Sequence, residues 1–129
     1  MPPSSMHPVS FITTEDNGTD LVVSFAIQQP LEPEKIESLT LQRAPKFEAL
    51  KDEDERGVTV SFDRFPEDDD MEDRLEEVHY FASEKSVELK TKRRRYHLDV
   101  RRVGPEEIAD MRKVLRKMNF DGQFQANGI

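Results

Sequence analysis

Two histidines with carboxylates nearby are the residues of this sequence whose types are suited to acid–base chemistry. His79 and His97 fall in two segments that alternate like strands and that we place on adjacent strands, and Glu88 or Asp99 could pair with His97. A histidine beside a carboxylate can exchange a proton near neutral pH. Exposed histidines on a sheet are nevertheless much commoner than catalytic pairs, so we predict that this protein is not an enzyme.

Other signatures of catalysis or metal binding are missing from the sequence. There is no cysteine, which excludes disulfides and thiolate metal sites, and the three histidines are widely separated. There is also no Gly-rich phosphate loop and no Gly-x-Ser-x-Gly motif. We therefore expect neither a metal nor a cofactor.

A strongly acidic segment is the first candidate binding element. Residues 52–77 contain thirteen acids and three bases, in a chain whose net charge is −8. Such a segment could dock a basic protein surface, although a solvated loop is the commoner outcome for a run of charge. The candidate partner-binding residues at its centre are Glu67, Asp68, Asp69, Asp70, Glu72 and Asp73.

A basic turn is the second candidate, and it offers a different ligand. Four consecutive cations could contact phosphates, namely Lys92, Arg93, Arg94 and Arg95. No aromatic residue lies among them, and the acidic balance of the whole chain argues against nucleic acid. The alternative is intramolecular, with the basic turn and the acidic segment offsetting each other's charge.

A hairpin and a helix must position these charges. Residues 87–91 and 96–100 alternate in polarity on either side of the basic turn, which is typical of two antiparallel strands. Pro105 then suits the first position of a helix, because a proline there loses no intrahelical hydrogen bond. Four residues predict one apolar stripe that covers the hairpin, namely Ile108, Met111, Leu115 and Met118.

Further strands precede the hairpin. Alternation over residues 9–13, 21–27, 39–41, 58–62 and 75–82, separated by prolines, Asn17-Gly18 and charged loops, predicts the rest of a sheet. Residues 46–50 fit either a helical turn or a covering loop. The fold class is therefore α+β, with a mostly antiparallel sheet of six or seven strands and one C-terminal helix packed on one face.

Composition bounds the organisation of the chain. Its 129 residues predict one globular domain at 9–120, between a flexible tail at 1–8 and a frayed tail at 121–129. No apolar run is long enough to span a membrane, and the N-terminus lacks the pattern of a signal peptide. We expect a cytoplasmic protein, with no indication of its oligomeric state.

Several segments together resemble a known family. They are residues 39–43 (Leu-Thr-Leu-Gln-Arg), 54–60 (Asp-Glu-Arg-Gly-Val-Thr-Val), 75–78 (Leu-Glu-Glu-Val) and the Leu115-Arg116 pair. From residue 39 to 118 the chain resembles a mostly-β family of predicted immunity proteins of bacterial polymorphic toxin systems. The resemblance implies an inhibitor that binds a cognate toxin and performs no chemistry itself. The expected function is thus a protein-binding module with a basic partner, and the alternatives are nucleic-acid binding or a structural role.

Overall fold

The structure is a computed structural model, which describes residues 6–29, 31–32, 34–52, 56–66 and 73–129. Eight β-strands and one α-helix make up this described part. The strands are β1 (Met6–Asp16), β2 (Leu21–Gln28), β3 (Ile36–Arg43), β4 (Thr59–Phe62), β5 (Leu75–Phe81), β6 (Ser86–Thr91), β7 (Arg95–Asp99) and β8 (Gln125–Asn127). Helix α1 spans Pro105–Met118, and a 3₁₀ helix spans Pro45–Leu50. The α+β class with one C-terminal helix is confirmed, but the sheet has eight strands instead of six or seven.

The strands form one sheet in the order β4-β3-β2-β1-β7-β6-β5-β8. Neighbouring strands are antiparallel except for two parallel pairs, β1 with β7 and β5 with β8. Strand β4, at one end of the sheet, also meets the start of β5 near the other end, because Thr59 of β4 is bridged to Arg74 and the Val60 N–H donates to the Asp73 carbonyl at 3.1 Å. The sheet therefore curls back on itself, with one face inside and the other outside.

Alternation along the strands separates the two faces. On β2 the buried side chains are Val23, Phe25 and Ile27, and on β3 they include Leu39 and Leu41. Successive side chains of a strand point to opposite faces, so the residues between these ones face outward. All of the buried side chains named here belong to one core cluster, which also includes residues of β4 to β7 and of α1.

Helix α1 begins at Pro105, as the sequence predicts, and follows Gly104 as its N-cap residue. Glu106 and Glu107 lie in its first turn, at the positive end of the helix dipole. The stripe is confirmed in its C-terminal part, where the fully or nearly fully buried residues are Met111, Val114, Leu115 and Met118. Ile108 is only partly buried against the core.

The helix covers a different part of the sheet from the one expected. Its backbone lies nearest β1 and β2, and the preceding hairpin of β6 and β7 contributes to the same core from farther away. Glu107 Oε1 accepts a hydrogen bond from the Ile12 N–H at 2.7 Å, and Lys117 pairs with Asp16 farther along β1. The helix therefore runs beside β1, a contact that the local pattern around residues 87–118 cannot reveal.

Strand pairing extends into both of the segments that the sequence predicts as tails. The expected tail at 1–8 includes Met6, which lies opposite His97 where β1 pairs with β7. The expected tail at 121–129 includes Phe124, which is only 4% exposed, and β8, where Ala126 lies opposite Val78. Alternation marks neither the start of β1 nor β8, and both pair with segments far away in the sequence.

A buried arginine joins β3 to the end of the helix. The Arg43 guanidinium donates to both carboxylate oxygens of Glu48 at 2.7 and 2.8 Å, and to both of Asp121 at 2.7 and 2.8 Å. It also donates to the Met118 carbonyl at 2.6 Å, and its carbon Cζ lies 4.3 Å from the ring centroid of Phe120. Because this side chain has no exposed surface, its charge depends on those partners.

Candidate functional site

The acidic segment is described only at its end. Glu67, Asp68, Asp69, Asp70 and Glu72 lie outside the described residues. Asp73 is described and is only 2% exposed. Its carboxylate accepts hydrogen bonds from the Thr91 hydroxyl at 2.7 Å and from the Arg93 N–H at 3.2 Å. Asp73 therefore secures the basic turn from inside and does not offer a docking surface.

The basic turn connects β6 to β7 and combines exposed charge with internal contacts. Lys92, Arg93 and Arg95 are exposed, whereas the guanidinium carbon of Arg94 lies 3.6 Å from the ring centroid of Phe65. One Arg95 nitrogen lies 3.7 Å from a Glu88 oxygen. Together with the contacts of Asp73, this geometry brings the end of the acidic segment against the basic turn.

His79 and His97 occupy one row on the outer face of the sheet. They do not lie on adjacent strands as expected, because β6 runs between β5 and β7 and places Glu88 directly opposite both His79 and His97. His97 Nε2 lies 3.4 Å from Glu88 Oε1, and His79 Nε2 lies 3.1 Å from Glu77 Oε1. The hydrogen bond from His79 lowers the pKa of the Glu77 carboxyl.

A groove of about 430 Å³ opens beside this row. Its lining includes the apolar residues Met6 of β1 and Phe81 of β5, the acidic residues Glu84 and Glu88, and His97. Phe81 is 39% exposed there, and its ring stacks on His79 with centroids 6.2 Å apart. The complete lining is Met6, Phe81, Glu84, Ser86, Val87, Glu88 and His97.

The described contacts of the groove do not connect a nucleophile to its histidine or its acidic residues. His97 and Glu88 are both partly exposed, and the described contacts of the groove include no hydrogen bond between Ser86 and His97 that would activate a nucleophile. No group of three or more His, Cys, Asp or Glu side chains is placed to hold a metal among the described residues. What the groove does offer is two carboxylates above an apolar wall.

Sequence analysis identified part of this groove and missed the rest. His97 and Glu88 were found because a short turn fixes the register of neighbouring strands. Met6 was missed because it reaches His97 through a parallel pairing with a strand far away in the sequence. Phe81 and Glu84 lie at the turn between β5 and β6. Their position beside the groove could have been predicted only if the end of β5 had been known.

Comparisons with known proteins identify no relatives: no family model matches the sequence, and neither a curated protein nor a solved structure is significantly similar to it. Within the part of the chain that the structure describes, no helix combines the length and the apolar character needed to cross a membrane.

Proposed function

We propose that this chain is a non-enzymatic protein-binding module, and that its groove receives a lysine or arginine side chain from a basic partner protein. The observation that carries this proposal is the pairing of carboxylates with apolar walls in one groove. Lysine and arginine have the matching form, an apolar stem that ends in a charged head. The cation would lie between Glu84 and Glu88, with its stem against Met6 and Phe81.

Charge supports a cationic partner at long and at short range. The chain has a net charge of −8, which would attract a basic surface and accelerate its association. In the groove, Glu88 already lies 3.7 Å from Arg95, so its carboxylate is oriented toward a guanidinium. Arg95 is 65% exposed, and a pair so open to solvent contributes little and can be exchanged for a partner's cation.

Aromatic and sulfur-containing side chains favour a protein as the source of that cation. Phe81 and Met6 are of the residue types enriched at protein–protein interfaces. The face of the Phe81 ring can also attract a cation, which would add to the effect of the carboxylates. The resemblance to immunity proteins makes the partner a toxin that this module inhibits.

A pair of peptides tests the groove directly. One peptide has a single lysine between neutral residues, and the other has acetyl-lysine there, which keeps the stem and removes the charge. In a titration followed by backbone amide NMR, we expect the lysine peptide to shift the signals of Ser86, Glu88 and His97, and the effect to weaken as salt is added. Equal shifts with both peptides, or none with either, would contradict the proposal.

Matched variants assign the effect to the groove. Glu84→Gln together with Glu88→Gln removes both carboxylates and should abolish the response to the lysine peptide. Glu106→Gln together with Glu15→Gln changes the net charge equally at exposed positions outside the groove and should leave the response intact. A loss in both double variants would mean that overall charge, and not the groove, attracts the peptide.

The inhibitor role has its own test. Reading frames adjacent to the gene for this chain are expressed with and without it, and we expect one to be toxic alone and harmless together with it. The Glu84→Gln, Glu88→Gln variant should lose this protection while its circular dichroism remains unchanged. If no adjacent reading frame is toxic, the inhibitor role is wrong, whereas the peptide experiment still decides whether the groove binds cations.

A further inference from the structure

The outer face of the other half of the sheet is neutral, in contrast to the face that carries the groove. A row of hydroxyl side chains crosses four strands there, because Thr13, Ser24, Thr40 and Ser61 lie opposite one another in register. Ser24 Oγ and Thr40 Oγ1 are 3.4 Å apart. We call this surface, formed by the outward positions of β1 to β4 between Phe11 and Ser61, the neutral face.

Charge is confined to the edges of the neutral face. In the described strands β1 to β4, the outward positions carry one charged residue, Glu15, near the end of β1, and Asp63 follows directly after β4. Charged residues make up 36% of the chain, so a sheet surface with an uncharged centre is a marked exception. The cores of protein interfaces are depleted of charge in the same way.

The neutral face has both a projection and a recess. Phe11 is 45% exposed and lies opposite Ala26, which is only 5% exposed. Ala26 in turn lies opposite Ser38, so small side chains form a floor next to the exposed ring. Ile36 projects on the other side of this floor and is 42% exposed. A second surface with the same relief could fit onto it.

We infer that the neutral face binds a second copy of this chain, face to face, in a two-fold dimer. In a two-fold interface both copies use the same patch. A residue of one copy therefore lies near the neighbours of the same residue on the other copy. A patch that lacks charge reduces the repulsion between two chains of charge −8 where they meet. In this arrangement Phe11 of each copy packs on the floor around Ala26 of the other.

The size of the face sets the strength of the dimer. With strands about 4.8 Å apart and a rise of about 3.4 Å per residue, four strands of about seven residues cover about 450 Å². Two such patches total about 900 Å², which is below the roughly 1,200 Å² at which standard specific interfaces begin and is typical of weak, transient contacts. The dimer is therefore reversible and forms as concentration rises. It does not depend on the proposed groove function, since the two faces lie on different parts of the sheet.

Salt gives the dimer a characteristic response. Repulsion between two chains of the same negative charge opposes dimerisation, and added salt screens that repulsion. Dimerisation should therefore strengthen with salt, which is opposite in sign to the response expected for a cation in the groove.

Sedimentation velocity over a range of concentrations tests the inference. The unmodified chain should shift from monomer to dimer as its concentration rises, and more readily at higher salt. Phe11→Glu should weaken dimerisation by roughly tenfold or more, since it places an unpaired carboxylate in the interface. Phe81→Glu is the matched control, because Phe81 is similarly exposed but lies at the groove, and it should leave dimerisation within about twofold of that of the unmodified chain.

A second variant covers the case in which Phe11→Glu fails to fold. Thr40→Glu places the charge mid-face at a position with ordinary strand geometry and should also give monomers. Folding of each variant is checked by its denaturant midpoint. The inference is overturned if the unmodified chain stays monomeric up to its solubility limit, or if a dimer survives both face variants in folded protein.

Discussion

Glu107 Oε1 accepts a hydrogen bond from the backbone N–H of Ile12 at 2.7 Å, and so attaches the first turn of α1 to β1. The ladder between β1 and β2 is irregular between Val9 and Phe11, just before this point. Ile12 itself is only 4% exposed, so water has little access to replace the carboxylate. One side chain of the helix thus satisfies a backbone group of the strand that the helix covers.

Replacing Glu107 should therefore cost more than replacing its neighbour. Glu107→Ala leaves the Ile12 N–H without its acceptor, which we expect to destabilise the protein by about 1–3 kcal/mol. Glu106→Ala removes a charge from the same helical turn without removing such a bond, and should cost less than about 1 kcal/mol. Urea unfolding of both variants measures the difference, and equal midpoints would show that the bond to Ile12 is unimportant.

The apolar stripe of α1 gives a second comparison. Leu115 is fully buried, so Leu115→Ala should destabilise the protein by about 2–5 kcal/mol through lost contacts and a cavity. Lys113→Ala, on the exposed side of the same helix, should change stability by less than about 0.5 kcal/mol. If denaturant melts give the two variants the same midpoint, the helix does not close the core and is a detachable element.

The network of Arg43 predicts a dependence of stability on pH. Burial opposes ionisation of Glu48, but the hydrogen bonds and charge of Arg43 outweigh it and lower the pKa of this carboxyl. A hydrogen bond from Arg43 also lowers the pKa of Asp121. Carboxyls with depressed pKa values stabilise the fold above their unfolded values of about 4, and this contribution is lost as the pH falls through their folded values.

Arg43→Leu tests that dependence. At neutral pH it leaves Glu48 buried without its cation, which we expect to cost about 3–5 kcal/mol. As the pH falls below the unfolded value of about 4, toward the lower folded values, the unmodified chain loses this contribution, and the gap in unfolding free energy between the variant and the unmodified chain should narrow. Lys35→Ala breaks an exposed pair with Glu32 and should cost less than about 0.5 kcal/mol. A gap that stays constant from pH 7 to acid would contradict the role given to Arg43.

A side chain at Gly128, which follows β8, would clash with Tyr80, whereas a side chain at Gly18 would meet no other atom. Gly128 has a φ of +78°, and a Cβ there would lie 2.2 Å from the Tyr80 carbonyl oxygen. Gly18 has a φ of +85° and no atom within 4 Å of such a Cβ. Gly18→Ala should therefore cost only about 1–2 kcal/mol of backbone strain. Gly128→Ala should in addition displace β8, so that the Ala126 amide exchanges its hydrogen faster.

Hydrogen exchange followed by NMR distinguishes the two glycine variants. The Ala126 amide should retain its protection in Gly18→Ala and lose it in Gly128→Ala. Retained protection in both would show that the chain relaxes around Tyr80 without releasing β8.

The burial of Asp73 predicts that this residue of the acidic segment stabilises the fold. Asp73→Ala removes a buried carboxylate that accepts from the Thr91 hydroxyl, the Arg93 N–H and the Arg74 N–H, and should destabilise the protein by about 1–3 kcal/mol although Thr91 and Arg93 each keep one other acceptor. The exposed Asp52→Ala should have an effect under about 0.5 kcal/mol. Thermal unfolding compares them. If Asp73→Ala is as stable as Asp52→Ala, its carboxylate is free to serve in binding.

Local pattern explains which parts of the fold could be predicted. The hairpin of β6 and β7 and the helix from Pro105 were correct because alternation and helical spacing are properties of adjacent residues. The pairing of Met6 with His97 and the strand around Ala126 were missed because they depend on distant segments. The groove combines both kinds of information, so only His97 and Glu88 could be expected to lie together.

The parallel pairing of β1 with β7 also determines when the fold can be completed. β1 is synthesised well before β7 and α1, the neighbours that it needs. Antiparallel β1 to β3 can assemble earlier because their connections are short, and long-range pairing is slow. In pulse-labelled hydrogen exchange during refolding, the amides of Phe25 and Leu39 should therefore become protected before that of Leu98. The order of synthesis thus favours early folding of the half of the sheet that bears the neutral face.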